Sequence, residues 1–299
     1  MIRHQEVDCD TDMWIAETIR ETRRRRKAMK GRIALVATMG ALHEGHQSLI
    51  DTAKRVADHI LVSIFVNPSQ FGPNEDYEKY PRPLEDDLEM CRRAGVEGVL
   101  CPDADQIYPP GQIASEVTVP ELAKVLEGEY RPHHFAGVCR VVLKLLNIFQ
   151  PHLTCFGQKD FQQMRVVESL VRDLNLPVEV VECPTVREPD GLAVSSRNKY
   201  LSGPLRPKAL GLYKALVQAT MLIEQDAETD PRVVERSMAH VMQSHQVQVD
   251  YAVVRHPAIL APLDCIEPRV TGGIVALVAG RVGHVRLIDN MLIGCLPQK

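Results

Sequence analysis

The chain has 299 residues, 45% hydrophobic and 25% charged, with a formal net charge of −4. Such a length predicts two domains rather than one small one, the composition is that of a soluble globular enzyme, and the slight acidic balance gives nucleic acid no electrostatic reason to bind. No apolar stretch approaches the ~20 residues that span a bilayer, and no apolar signal core opens the chain. Eight scattered cysteines (Cys9, Cys91, Cys101, Cys139, Cys155, Cys183, Cys265, Cys295) form no Cys-x-x-Cys pair. Reduced thiols in a cytoplasmic protein with no membrane partner are the expectation.

Along the chain, Trp14, Ile15 and Ile19 fit one helix face, with Arg23-Arg24-Arg25-Arg26-Lys27 at its solvated end. Cations there suit the helix dipole. Ile33 to Ala37 reads as a buried strand. Thr38-Met39-Gly40-Ala41-Leu42-His43-Glu44-Gly45-His46 follows directly, with a helix expected from about His46 to Asp58. A helix N-terminus offers unpaired N–H groups and a partial positive charge, so phosphate can settle there, and the two imidazoles can add donors. The i to i+3 histidine spacing with an internal glycine differs from the i, i+4 spacing of helical zinc sites. Taken alone, the motif leaves two idle loop histidines as an open alternative.

Ile60 to Val66 reads as a second buried strand and Asn67-Pro68-Ser69-Gln70-Phe71-Gly72-Pro73 as a loop. A helix from Pro83 to Arg93 ends at Gly95, Val96 to Leu100 is a strand, and Val117 to Gly128 reads as a short strand and a short helix. Ala136 to Phe149 carries a strong helical repeat. His152 to Phe156 is a strand, Asp160 to Asn175 a helix, Val178 to Glu182 a strand. Alternating strands and helices imply a parallel sheet with right-handed crossovers, whose ligands bind beyond the carboxyl ends of the strands. Loops starting at Thr38, Asn67, Gly157 and Pro184 should therefore converge on one crevice. After Arg187 two helices (Pro207 to Gln225 and Pro231 to Ser244) precede apolar runs at Val247 to Val254 and Ile274 to Val278. The stretch Arg187 to Asn198 reads as a hinge or flap leading into a smaller α+β domain.

Gly157-Gln158-Lys159-Asp160-Phe161-Gln162-Gln163 joins a strand to a helix. Lys159 offers a mobile ammonium to phosphate and Asp160 can accept from ribose hydroxyls. A surface lysine beside a helix-capping Asp160 explains the same residues. Ser195, Ser196 and Arg197 in Asp190-Gly191-Leu192-Ala193-Val194-Ser195-Ser196-Arg197-Asn198 suit a clamp for β- and γ-phosphates, or an ordinary polar turn. Gln70 and Gln163 can donate and accept toward an uncharged, hydroxyl-bearing substrate.

Taken in order, these four motifs resemble those of the pantoate–β-alanine ligases, from about Gly31 to Val285-Arg286-Leu287-Ile288-Asp289-Asn290. Departures from the family pattern are Ala37, where many relatives have proline, and His133 and Ala136, where some have glycine and arginine. The resemblance implies an α/β fold: a Rossmann-like parallel sheet flanked by helices over residues 1–186, binding ATP and pantoate, then a smaller C-terminal α+β lid domain over 187–299, usually in a homodimer. It implies ATP-dependent condensation of pantoate with β-alanine through a pantoyl adenylate, giving pantothenate, AMP and pyrophosphate. Met39, Gly40, Ala41, Leu42, His43, Glu44, Gly45, His46, Gly157, Gln158, Lys159, Asp160, Val186, Val194, Ser195, Ser196 and Arg197 match the ATP-binding segments. His43, His46, Lys159, Ser195, Ser196 and Arg197 match the catalytic set, with His46 as proton donor. Gln70 and Gln163 match the pantoate-binding glutamines. Magnesium is expected to accompany ATP, with ligands that the sequence does not identify. Transfer of AMP to a phosphorylated acceptor would call for arginine or lysine in place of the two glutamines.

Overall fold

The computed structural model describes residues 13–73, 75–267 and 272–294; Cys9 and Cys295 fall outside them. In chain order the elements are β1 (Trp14–Ala16), α1 (Ile19–Ala28), β2 (Ile33–Thr38), α2 (Glu44–Val56), β3 (His59–Ile64), α3 (Leu84–Arg93), β4 (Gly98–Leu100), α4 (Ala104–Ile107), α5 (Pro120–Ala123), α6 (Glu127–Tyr130), α7 (His134–Phe149), β5 (Leu153–Gly157), α8 (Phe161–Asp173) and β6 (Glu179–Cys183). Then come α9 (Leu205–Glu224), α10 (Pro231–Ser244), β7 (Gln248–Arg255), β8 (Ile274–Val282) and β9 (Val285–Ile293). Strands β1 to β6 form one parallel sheet in the order β1-β4-β3-β2-β5-β6, and β7-β8-β9 an antiparallel one.

Side-chain alternation along β2 sets the layers. Ile33 and Leu35 point into a core shared with α7 and α8, while Ala34 and Val36 point into a second core under α2 and α3. A strand buried on both faces must be apolar throughout, and β2 is. The same logic governs β8. Ile274, Ala276 and Val278 pack with α9 and α10, whereas Val275 and Leu277 belong to the core of the parallel-sheet unit. Each fully buried side chain of this kind contributes roughly 1.5–3 kcal/mol, so β8 binds the two units together.

Two local expectations are corrected. Trp14 and Ile15 do not lie on the first helix: they form β1, paired in parallel with β4, and the indole lies against Gly98, where a Cβ would meet its Cε2 at 1.9 Å. A three-residue strand is too short to show periodicity, and only its neighbour reveals it. The basic run does end α1, and Arg26 donates to the carbonyls of Phe149 (2.8 Å) and Gln150 (2.8 Å) at the end of α7. Between Val117 and Gly128 no strand forms: β1 holds the sheet edge beside β4, Val117 and Val119 pack against the core shared with α7 and α8, and the short helices α5 and α6 follow. The apolar run at Ile274 proves to be one strand of three, with β9 pairing along its whole length. No helix among the described residues is long and apolar enough to cross a membrane.

Candidate active site

From β2 the chain steps to β3 on one side and, later, to β5 on the other, so the order reverses between β2 and β5. A crevice opens at such a switch point. The loop after β2 and the turn Gln158–Asp160 after β5 flank it.

His43 is the N-cap of α2, and the helix starts two residues earlier than its apolar repeat suggests. Its Nδ1 accepts from the Gly45 N–H at 3.1 Å, while Nδ1 of His46 accepts from the His43 N–H at 3.3 Å. Backbone N–H groups can only donate, so both imidazoles carry their proton on Nε2. The rings lie 4.1 Å apart, centroid to centroid. Burial, then the Lys159 ammonium, pushes His43 down to about 4; burial, then His43 itself, pushes His46 to about 3. Both are neutral at pH 7 and present two Nε2–H donors.

Asp87, on α3, sets the approach to these histidines. Its buried carboxylate accepts from the N–H groups of Ala41 (2.8 Å) and Leu42 (2.6 Å). Gly40 (φ +78°) and Ala41 (φ +51°) are both left-handed, and a Cβ on Gly40 would meet Asp87 Oδ2 at 2.8 Å. Burial lifts the Asp87 carboxyl against the pull of the two N–H groups. Sequence reasoning missed Asp87. It sits among Glu85 and Asp86 in the first turn of a helix, where acidic residues are ordinary.

The Asn67 loop reaches the same place. Gln70, 7% exposed, donates from Nε2 to the Met39 sulfur at 3.0 Å and accepts from Asn67 Nδ2 at 3.0 Å. Its carbonyl takes a hydrogen bond from His134 Nδ1 at 3.1 Å. His134, held near 4 by burial and then by Arg131, is backed by a bidentate Arg131–Glu75 pair (2.9 and 2.6 Å). The backbone of α7 approaches this loop closely, with no room for a side chain on Gly137, whose Cβ would lie 2.2 Å from Ser69 O. A small cavity lined by Gln163, Lys159, Arg131, His134 and Asn290 opens alongside.

Lys159 lies 3.6 Å from Asp160. Half of the Asp160 side chain stays exposed, and against some desolvation the Lys159 ammonium and Arg197 guanidinium hold its carboxyl below the usual range. Residues 186–194 form a tight hairpin in which the Val194 N–H donates to the Val186 carbonyl at 2.9 Å. Arg206 of α9 holds Glu188 and Asp190 at 2.7 Å each, Arg187 forks onto Asp289 (2.7 and 3.0 Å), and Gly191 lies against the Tyr213 ring. The expected hinge or flap is thus a hairpin fixed to the C-terminal unit. Ser195 caps the turn Ser196–Tyr200 by accepting from the Arg197 N–H (3.3 Å), and Arg197 reaches across to Asp76 at 3.4 Å. These residues line a cleft of about 790 Å³ between the two sheets, together with Lys159, Asp160, Arg131 and Arg281.

A doubly flanked parallel sheet with paired N–H donors at a helix N-terminus, a lysine on the adjacent turn and an arginine sharing a cleft with that lysine is an α/β arrangement suited to a phosphate-bearing ligand. Residues 14–292 match the model of the family described as pantoate-beta-alanine ligase. The chain is 46% identical over 288 residues to a pantothenate synthetase of Thermotoga petrophila (94% of this chain, 100% of the relative) and 51% identical over 263 residues to one of Rhodopirellula baltica (86% and 90%). Among solved structures, a pantothenate synthetase of Thermus thermophilus superposes with a TM-score of 0.87 at 42% identity (93% of this chain, 99% of the other). A Francisella tularensis pantoate–β-alanine ligase, crystallised with βγ-ATP and β-alanine, gives 0.77 at 35% (96% and 100%). This chain belongs to the pantoate–β-alanine ligase family.

Proposed function

We propose that ATP lies across the crevice between β2 and β5, with pantoate in the cavity beside Gln70 and Gln163, and that the chain joins pantoate to β-alanine. The observation that carries this is the pair of Nε2–H donors on His43 and His46, each fixed because its Nδ1 is occupied by backbone.

The chemistry explains the arrangement. Pantoate's carboxylate is a poor acyl donor, because its leaving group would be oxide. Its oxygen therefore attacks the α-phosphorus of ATP, a new P–O bond forms, and the bond to pyrophosphate breaks. Negative charge accumulates on the departing pyrophosphate, where His43, His46, Lys159, Arg197, Ser195 and Ser196 supply donors that strengthen as the charge develops. His46 donates from a neutral ring, and the approaching anion draws the ring toward protonation. Gln70 and Gln163 hold the pantoate hydroxyls. The amine of β-alanine then attacks the pantoyl adenylate, and AMP leaves. Gly157 and Asp160 serve the ribose; Met39 to His46, Gln158, Val186 and Val194 complete the nucleotide contacts.

Magnesium fits this site as an ion carried on the triphosphate. Among the described residues no three carboxylate, imidazole or thiolate groups gather as ligands, and magnesium bound mainly by phosphate and water needs no such cage. When bound, it would neutralise phosphate charge. We further assign residues 1–186 to the nucleotide and pantoate domain and 187–299 to a lid, whose closure keeps water from the adenylate. The half-exposed edge strand β6 supports a homodimer, and the free thiols among the described residues support a cytoplasmic location.

Single-turnover assay tests the scheme. Pyrophosphate should appear with ATP and pantoate alone, in roughly one equivalent per site, and pantothenate only when β-alanine is added. Pyrophosphate release that strictly needs β-alanine would overturn the two-step scheme.

A further inference from the structure

The closing motif Arg286-Leu287-Ile288-Asp289-Asn290 takes no part in the chemistry above, yet its polar side chains all reach other parts of the molecule. Arg286 forks onto Glu127 (2.6 and 2.8 Å) and holds Asp250 (2.7 Å), and Asp289 holds Arg187. Asn290, 4% exposed, crosses from the antiparallel sheet to the parallel one. Its Nδ2 donates to the carbonyls of Gln158 (2.8 Å) and Lys159 (2.9 Å).

We propose that Asn290 is a positioning residue for Lys159, holding the turn from which the ammonium reaches the triphosphate. This rests on the assignment of Lys159 to the triphosphate. The turn Gln158–Asp160 has no local side-chain cap, since Gly157 has no side chain and Asp160, the N-cap of α8, makes no capping hydrogen bond. Gln158 Nε2 ties one end to Glu182 at 3.1 Å, and the carbonyls of Gln158 and Lys159 are left to Asn290. A primary amide suits the task, because one nitrogen carries two N–H donors for two adjacent carbonyls and brings no charge. Aspartate would set a carboxylate against those carbonyl oxygens. Lysine would place a second cation beside Lys159.

Asn290 is itself rigidly held. Its N–H donates to Asp289 Oδ1 at 2.8 Å and its carbonyl accepts from Arg187 Nη2 at 3.0 Å. Arg187 opens the hairpin that leads to Ser195, Ser196 and Arg197. One buried junction therefore sets Lys159, on the parallel sheet, in register with Arg197, on the C-terminal unit. A shift of about 1 Å in a charged group at a reacting phosphate is enough to cost up to a hundredfold in rate.

The test is a double-mutant cycle on the full chain, read by single-turnover pyrophosphate release with ATP and pantoate and by calorimetry with a non-hydrolysable ATP analogue and with pantoate. Asn290→Ala should slow release by about tenfold or more and weaken the analogue. In a Lys159→Ala background the same change should cost less than about twofold. Lys159 and Asn290 both line the cavity assigned to pantoate, so pantoate affinity is read separately in each variant, and it is the loss of the Asn290 effect in the Lys159→Ala background that general loosening of the structure would not give. Asn290→Ser, which keeps one donor on a small side chain, should fall between the parent and Asn290→Ala, and it carries the cycle if the alanine variant does not fold. Losses that multiply in the Lys159→Ala background would overturn the positioning role while leaving Lys159 on the triphosphate. A Lys159→Ala variant with unchanged rate and ATP affinity would remove that assignment, and the role of Asn290 with it.

Discussion

The two walls of the crevice are held by different means. On the parallel-sheet side, the loop before α2 is fixed by short bonds within its own unit: two backbone N–H groups to the buried Asp87 of α3, and Thr38 Oγ1 to the Ser63 carbonyl of β3 at 2.8 Å. On the other side, the 186–194 hairpin hangs from α9 by the Arg206 ion pairs, whose side chains are partly exposed, and from β9 by Arg187 on the buried Asp289. Arg197 crosses the cleft to Asp76 with about 40% of each side chain exposed (37% and 42%). Buried hydrogen bonds to backbone are costly to break, whereas exposed ion pairs are worth little. The first wall is therefore preorganised before any ligand arrives, and on the second Arg197 can exchange Asp76 for phosphate.

The largest effect should come from the first wall's chemistry. His46→Ala removes one fixed donor and should slow adenylation by ~100-fold or more with folding intact; a near-normal single-turnover rate would break the comparison at its strongest point. Next is the loop's anchor. Asp87→Ala strands two N–H groups and should cost roughly 1–3 kcal/mol of stability each, measured by denaturant unfolding, and should slow adenylation as well. The matched change on the second wall, Arg206→Ala, should cost about 1 kcal/mol or less per lost pair. Equal losses would mean that the two walls are equally rigid.

A pH series sharpens the same contrast. His43, His46 and His134 are depressed to about 4, 3 and 4, below the ~6.5 of an unfolded histidine. Between those values the unfolded chain binds more protons, so folded stability rises with pH across this window and falls as pH drops from about 6.5 toward 4. Thermal unfolding at pH 5 should come several degrees below that at pH 7, and His134→Gln should reduce the difference. Glu75 and Glu127, held low against burial by Arg131 and Arg286 respectively, add their loss only below about 4.5. The smallest effect concerns Asp76. Asp76→Ala frees Arg197 and should tighten binding of an ATP analogue by about twofold, in keeping with an exposed pair. Weaker binding would make Asp76 part of the nucleotide site instead of a placeholder.

Local pattern and motif order carried much of this protein. Apolar runs and their spacing predicted the strands β2, β3 and β5 and the helices α7, α9 and α10, because each is long or buried enough to impress its period on the chain. Motif residues lie at strand-to-helix junctions, so the sequence also showed which loops meet: Gln70 touches Met39, and Lys159 acts on both histidines. What the tertiary structure alone decided are the groups whose partners are distant in sequence. Strand β1 exists only because β4 lies beside it. Asp87 looks like any acid in a helix's first turn until its carboxylate is found 46 residues away on the N–H of Ala41. Asn290 reads as the end of a strand, and its bonds to Gln158 and Lys159 span more than 130 residues. Periodicity is a property of neighbours along the chain; a hydrogen bond to a distant backbone leaves no period for the sequence to show.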